Sequence, residues 1–172
     1  TFVTAATWPH HRSQLDAQSR AFAEAAGFEP KPGRHLLLPG ADGALAGVLF
    51  ALENADDPLK DAFRPGALAT LLPAGAYRFA NAPHDSKLAA LAFALGAYRF
   101  TRYRKQDAKE VKLELPGNID GDDLERTIEA VTLARDLINT PANDMGPPEL
   151  EAATRALAEH HGASFRSVVG DD

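Results

Sequence analysis

Cysteine is absent from all 172 residues. Disulfides, thiolate metal sites and a cysteine nucleophile are therefore excluded, and a reducing compartment fits. No apolar run approaches the ~20 residues that span a bilayer, and the N-terminus lacks the charged-then-apolar layout of a signal peptide. Cations are outnumbered. Eighteen Lys and Arg against 24 Asp and Glu leave a net charge of −6, which argues against a general nucleic-acid or anionic-membrane surface. Repeats and low-complexity tracts are missing too. At 45% hydrophobic and 24% charged, the chain has apolar material for one packed domain, or one domain and part of another. It begins at Thr1 without Met and ends at Asp171-Asp172 just after Val168-Val169, so both ends read as cuts in a longer polypeptide.

Chemistry-bearing motifs are equally sparse. The six histidines are His10, His11, His35, His84, His160 and His161, and no H-E-x-x-H pattern joins any two. His160-His161 are neighbours that do not share a helix face, so they suit a solvated helix C-terminus better than a metal. Three carboxylate groups, Asp56-Asp57, Asp120 with Asp122-Asp123, and Asp171-Asp172, lack the order of an EF-hand loop. Asp122 or Asp123 reads as a helix cap, and Asp56-Asp57 before Pro58 as another. Pro39-Gly40-Ala41-Asp42-Gly43 contains no phosphate-loop signature and reads as a hairpin turn. No G-x-S-x-G elbow is present.

Periodicity outlines an α/β chain with a mixed sheet. A helix is expected from about Ser13 to Ala26, ended by Gly27. Arg34–Leu38 and Leu45–Leu52 predict an antiparallel hairpin, Leu68–Leu72 a short helical turn, and Ala76–Ala80 a strand. Asp85 or Ser86 caps a helix running to about Tyr98, with Leu88, Leu91, Leu95 and Tyr98 as its apolar stripe. Glu110–Leu115 alternates like a half-exposed strand. The longest helix follows, with the stripe Leu124, Ile128, Val131, Arg135 and Ile138, and Pro141 stops it. A last helix opens at Pro147, with Gly146 as cap and Glu149 reaching back to it. Leu150, Ala153 and Leu157 form its expected buried stripe, Gly162 ends it, and Ser164–Val169 reads as a final strand.

Two segments stand out. Tyr98-Arg99-Phe100-Thr101-Arg102-Tyr103-Arg104-Lys105 interleaves aromatics with cations. Such a pattern can stack bases and neutralise phosphates, or simply anchor a helix exit to the core. In extended form Tyr98, Phe100 and Arg102 point one way, and Arg99, Thr101 and Tyr103 the other. The second segment is Leu133-Ala134-Arg135-Asp136-Leu137-Ile138-Asn139-Thr140-Pro141-Ala142-Asn143-Asp144-Met145, followed by Pro147 and Leu150. Pro141 restricts Thr140 toward extended geometry, while Asn139, Asn143 and Asp144 suit bonds to local backbone. Cap and turn chemistry favours a domain junction here over substrate contact.

Together these segments, Tyr98-x-Phe100-x-x-Tyr103-Arg104 and Asn139-Thr140-Pro141-Ala142-Asn143, resemble the leucyl aminopeptidase family over about Lys87 to Asp172. The resemblance implies a macro-domain-like mixed sheet flanked by helices. It places a non-catalytic α/β domain at residues 1–118, a connecting helix at 119–139 and the start of a metallopeptidase domain at 140–172. The full-length enzyme would be a cytoplasmic homo-hexamer cleaving N-terminal, Leu-like residues from peptides with two divalent ions, Zn²⁺ or Mn²⁺. The family's K-G-x-x-x-D-T-G-G and N-T-D-A-E-G-R-L segments do not occur in these residues. No position here inherits a catalytic, cofactor-binding or metal-ligating role, and this stretch alone is expected to be inactive and to hold no cofactor. A different class of function is a macro-like module that contacts nucleotide or nucleic acid through Arg99, Arg102 and Arg104, and a third is pure scaffolding between subunits.

Overall fold

Alternation of side chains along short strands builds the centre of the molecule. The computed structural model describes residues 1–105 and 109–170. In it β1 (Phe2–Val3), β2 (His35–Pro39) and β3 (Leu45–Ala51) form a mixed sheet in the order β1-β3-β2. β2 and β3 are the expected hairpin, with Leu37 opposite Val48. Its turn combines Gly43 at φ +80° with the Asp42 carboxylate accepting from Ala44 N at 3.0 Å. β1 lies parallel to β3, Phe2 beside Phe50. Two residues are too few for a periodic signal, so nothing in the sequence announces it.

Successive strand residues face opposite sides. Phe2, Phe50 and Leu52 therefore join one buried cluster with Leu68, Leu72 and Phe93, while Val3, Leu49 and Ala51 join another with Ala23, Phe28 and Leu38. Helices cover both faces. Burial on both sides is why the second half of the Leu45–Leu52 run, Leu49–Leu52, is unbroken apolar sequence.

On the second face the single expected helix is two, α1 (Trp8–Gln14) and α2 (Ala17–Ala25). Leu15 is extended, and Asp16 caps α2 by accepting from Ser19 N at 2.9 Å, because a short carboxylate competes well for a free helix amide. Gly27, at φ +56°, ends α2 as expected. Asp57 caps no helix; its side chain closes a local turn by accepting from Leu59 N at 2.8 Å.

On the first face, a 3₁₀ turn (Arg64–Ala67) runs into α3 (Leu68–Leu71), then β4 (Gly75–Arg78), α4 (Ser86–Ala97) and β5 (Val111–Glu114). β4 and β5 pair in parallel through the α4 crossover. Asp85 caps α4, its carboxylate 2.9 Å from Leu88 N. The leucines of the expected apolar stripe are only half-buried; the fully buried residues are Ala89, Ala90, Ala92 and Phe93. The reason is close backbone approach. A Cβ on Gly66 would lie 2.5 Å from the Ala92 carbonyl oxygen, and one on Gly96 would collide with the Gly66 carbonyl.

Asn81 joins the two sheets. Its Oδ1 accepts from Phe2 N at 2.7 Å and its Nδ2 donates to Phe2 O at 2.8 Å, as a neighbouring strand would. Asn81→Ala leaves both backbone groups without these partners and should cost about 2 kcal/mol. The measurement is the urea midpoint; an unchanged midpoint would show that water replaces the amide without loss.

α5 (Gly121–Asn139) begins earlier than its expected caps: Asp120, not Asp122 or Asp123, accepts from Asp123 N at 3.1 Å. Asp123 is left to pair with Lys87 on α4 at 2.6 Å. Leu124 is buried, but Ile138 is 81% exposed, since the last turn of α5 runs past the end of α4. α6 (Pro147–His160) opens as expected, with Glu149 Oε2 accepting from Gly146 N at 2.9 Å. Its Leu150 and Leu157 are exposed rather than buried, and Ala153 is half-buried; an open groove separates Leu157 from α5. Ser164–Val169 is not a strand: no described strand pairs with it, and an isolated extended segment has no ladder to join. Asp171 and Asp172 lie outside the described residues. No described helix is long and apolar enough to cross a membrane.

Candidate functional site: the junction between α5 and α6

The two conspicuous segments of the sequence meet in space. α4 ends at Ala97 and Tyr98 turns into extended backbone, so the following residues run along the last turns of α5. Tyr98 donates its hydroxyl to Asp136 Oδ1 at 2.6 Å and accepts from Asn139 Nδ2 at 3.1 Å. Arg135 donates to the Leu95 carbonyl at 2.8 Å with its guanidinium 5.3 Å from the Tyr98 ring centroid, which explains the one cation in an apolar stripe. Arg102 reaches Thr140 Oγ1 at 3.3 Å, and Tyr103 donates to Asp144 Oδ2 at 2.5 Å.

Burial, then the bond to Asp136, pushes the Tyr98 hydroxyl pKa up; at Tyr103 the bond to Asp144 acts first and burial second. Both phenols therefore stay protonated donors at neutral pH. Thr140 is buried at φ −78° and ψ 121°, the extended geometry that Pro141 demands. Its hydroxyl donates to Asp136 O at 2.7 Å. Asn139 and Asp144 depart from expectation, since their side chains bond to tyrosines about forty residues away, not to nearby backbone. The expected alternation also fails at Tyr103, where the chain bends and the ring packs edge-on against Phe100 at 5.8 Å.

A cleft of about 540 Å³ lies between this segment, α5 and the start of α6. Arg99 and Arg102 line it together with Asp136, Asp144 and Glu149. Three carboxylates against two guanidiniums make a poor phosphate site. Arg99 is also engaged with its own helix end, donating to Gly96 O at 3.1 Å and Tyr98 O at 2.7 Å. The arrangement can hold two elements at a set angle, since its hydroxyls and carboxylates are engaged with one another.

The histidines are dispersed. His10 and His11 stack edge-on in α1, as do His160 and His161 at the exposed end of α6. His84 bonds the Glu53 carbonyl at 2.8 Å and, with His11, lines a separate crevice of about 300 Å³. Among the described residues, no group of three or more His, Asp or Glu side chains is placed to hold a metal ion. The described residues therefore do not fit a metal centre. No local pattern in the sequence announces Asn81, or the pairing of buried Glu53 with half-buried Arg64. Asp136 lay inside the conspicuous segment, and its position one turn before Thr140 was the available signal.

Comparison with known proteins identifies the family. Residues 4–116 match the family model described as M17 aminopeptidase, N-terminal domain. Over 86% of its length the chain is 29% identical to a probable cytosol aminopeptidase of Streptomyces coelicolor, covering 36% of that protein. The crystal structure of a cytosol aminopeptidase from Coxiella burnetii superposes with a TM-score of 0.88 at 30% identity, over 99% of this chain and 37% of that one. The bottromycin maturation enzyme BotP in complex with Mn superposes at 0.67 with 26% identity, over 94% and 36%. The chain thus spans just over a third of the length of these relatives. With the family model covering well over half of it, this chain belongs to the M17 aminopeptidases and carries their N-terminal domain.

Proposed function

We propose that this chain is the non-catalytic front of a leucyl-type metalloaminopeptidase. Residues 1–118 form the N-terminal domain, 119–139 the connecting helix, and 140–172 the start of the peptidase domain. The whole protein would be a cytoplasmic homo-hexamer that releases Leu-like N-terminal residues from peptides with two divalent ions, Zn²⁺ or Mn²⁺. Its metal ligands and catalytic arginine would lie beyond Asp172.

One observation carries this reading. The two segments that resemble the family, one closing α4 and the other closing α5, are bonded to each other at the point where the chain leaves the α/β body. The relatives' names support peptide hydrolysis, and the Mn complex of BotP supports a divalent metal.

Hydrolysis of leucyl-p-nitroanilide with added Mn²⁺ is the test. The full-length protein should release p-nitroaniline, and residues 1–172 should not. Turnover by the shorter chain would place the metal site within it and sink the proposed division of labour.

A further inference from the structure

We propose that Tyr98 and Tyr103 are positioning residues that set the angle at which the peptidase domain leaves α5. This rests on the proposed function above and goes beyond it by naming the device. Three anchors converge from one short segment onto the exit turn and the helix end before it: Tyr98 on Asp136 and Asn139, Arg102 on Thr140, and Tyr103 on Asp144. Local interactions leave that turn loosely held. Its own backbone supplies a bond from Asp144 N to Pro141 O at 2.9 Å, and Pro141, Ala142 and Asn143 are exposed. Packing holds the end of α5 only in part, since Thr140 is buried but Ile138 projects into solvent. The tyrosine hydroxyls bond to carboxylates, which makes these contacts short and directional.

Leverage makes the angle matter. α6 has 14 residues and is about 21 Å long, so a tilt of about 5° at the turn moves its far end by about 2 Å. Misplacement of about 1 Å at reacting groups can cost up to ~10²-fold in rate. A clamp remote from the chemistry therefore acts on kcat.

The experiment uses the full-length enzyme with leucyl-p-nitroanilide and Mn²⁺. Tyr103→Phe and Asp144→Ala should each lower kcat about tenfold with KM within about twofold. The double variant should be no slower than the worse single, because both remove one contact. Asp144→Asn keeps an acceptor for the hydroxyl and should recover most of the lost rate. Hydrogen exchange at the Thr140 and Asp144 amides should quicken in Tyr103→Phe and not in Tyr77→Phe, which loses a comparable bond to Pro73 O (2.9 Å) elsewhere. Unchanged kcat in both single variants, or independent losses that multiply in the double, would overturn the inference alone. No hydrolysis by the unmutated full-length protein would overturn the proposed function and this inference with it.

Discussion

Arg64→Ala should destabilise the domain by about 3–5 kcal/mol, the largest loss expected of any single change described above. Glu53 follows β3 directly after Leu52 and is only 7% exposed, with Arg64 Nε donating to its Oε1 at 2.7 Å. Arg64 Nη2 makes a further close contact with the same oxygen. The second oxygen, Oε2, has no hydrogen-bond partner among the described residues. Removing the guanidinium would strand a buried carboxylate without its counter-charge and its main side-chain donor, leaving it only backbone amides. The pair itself is a poor source of stability, because desolvating two ions offsets most of their attraction. Replacing both residues by methionine should therefore restore most of what Arg64→Ala loses. Urea denaturation of the three variants tests this, and equal losses in the single and double variants would disprove the uncompensated charge as cause.

The same pair sets a pH dependence. Burial pushes the Glu53 carboxyl pKa up, but the hydrogen bond from Arg64, backbone amide bonds and the Arg64 charge together outweigh it and hold the group below its ordinary range. A carboxyl whose folded pKa is depressed contributes stability that is present above its unfolded value, about 4.3 for glutamate. That contribution is lost as pH falls from there through the folded value. The stability gap between the native chain and Glu53→Gln should accordingly narrow below about pH 4.

Gly96→Ala should be the second large effect, and its sign is the informative part. Helix propensity alone favours alanine over glycine by about 1 kcal/mol inside a helix. The new Cβ, however, would collide with the Gly66 carbonyl oxygen and lie 2.9 Å from its carbon, both backbone atoms that no rotamer change can move aside. Overpacking of this kind costs about 1–3 kcal/mol and occasionally more. With backbone meeting backbone, we expect a net loss of about 2 kcal/mol, or a fall of about 4–8 °C in melting temperature for a domain of this size. Gly117→Ala, where nothing lies within 4 Å of the added atom, should change the melting temperature little. A stabilised Gly96→Ala would mean that the 3₁₀ turn yields freely and that α4 does not need its small-residue face.

Local chemistry was legible wherever it was self-contained. The hairpin turn, the Asp85 cap, the Pro141 stop and the Gly146–Glu149 opening of α6 depend on residues within a few positions of one another, and each is found as expected. The single helix expected over Ser13–Ala26 missed Asp16 because a cap inside an amphipathic stretch barely disturbs its periodicity. The α4 stripe was misjudged for a related reason. Leucines at helical spacing mark an apolar face, but alanine and glycine on the adjoining face permitted the closer contact.

By itself the sequence determined the class of this protein and most of its α/β elements. Those properties rest on periodicity, on turn residues and on motifs that act within a few positions. Tertiary structure alone decided that Asn81 serves as a strand neighbour for Phe2 and that Arg64 neutralises Glu53. It alone decided that Tyr98 and Tyr103 hold Asp136 and Asp144. Each of these contacts joins residues between 11 and 79 positions apart, and a hydrogen bond at that separation leaves no periodic trace in the chain that forms it.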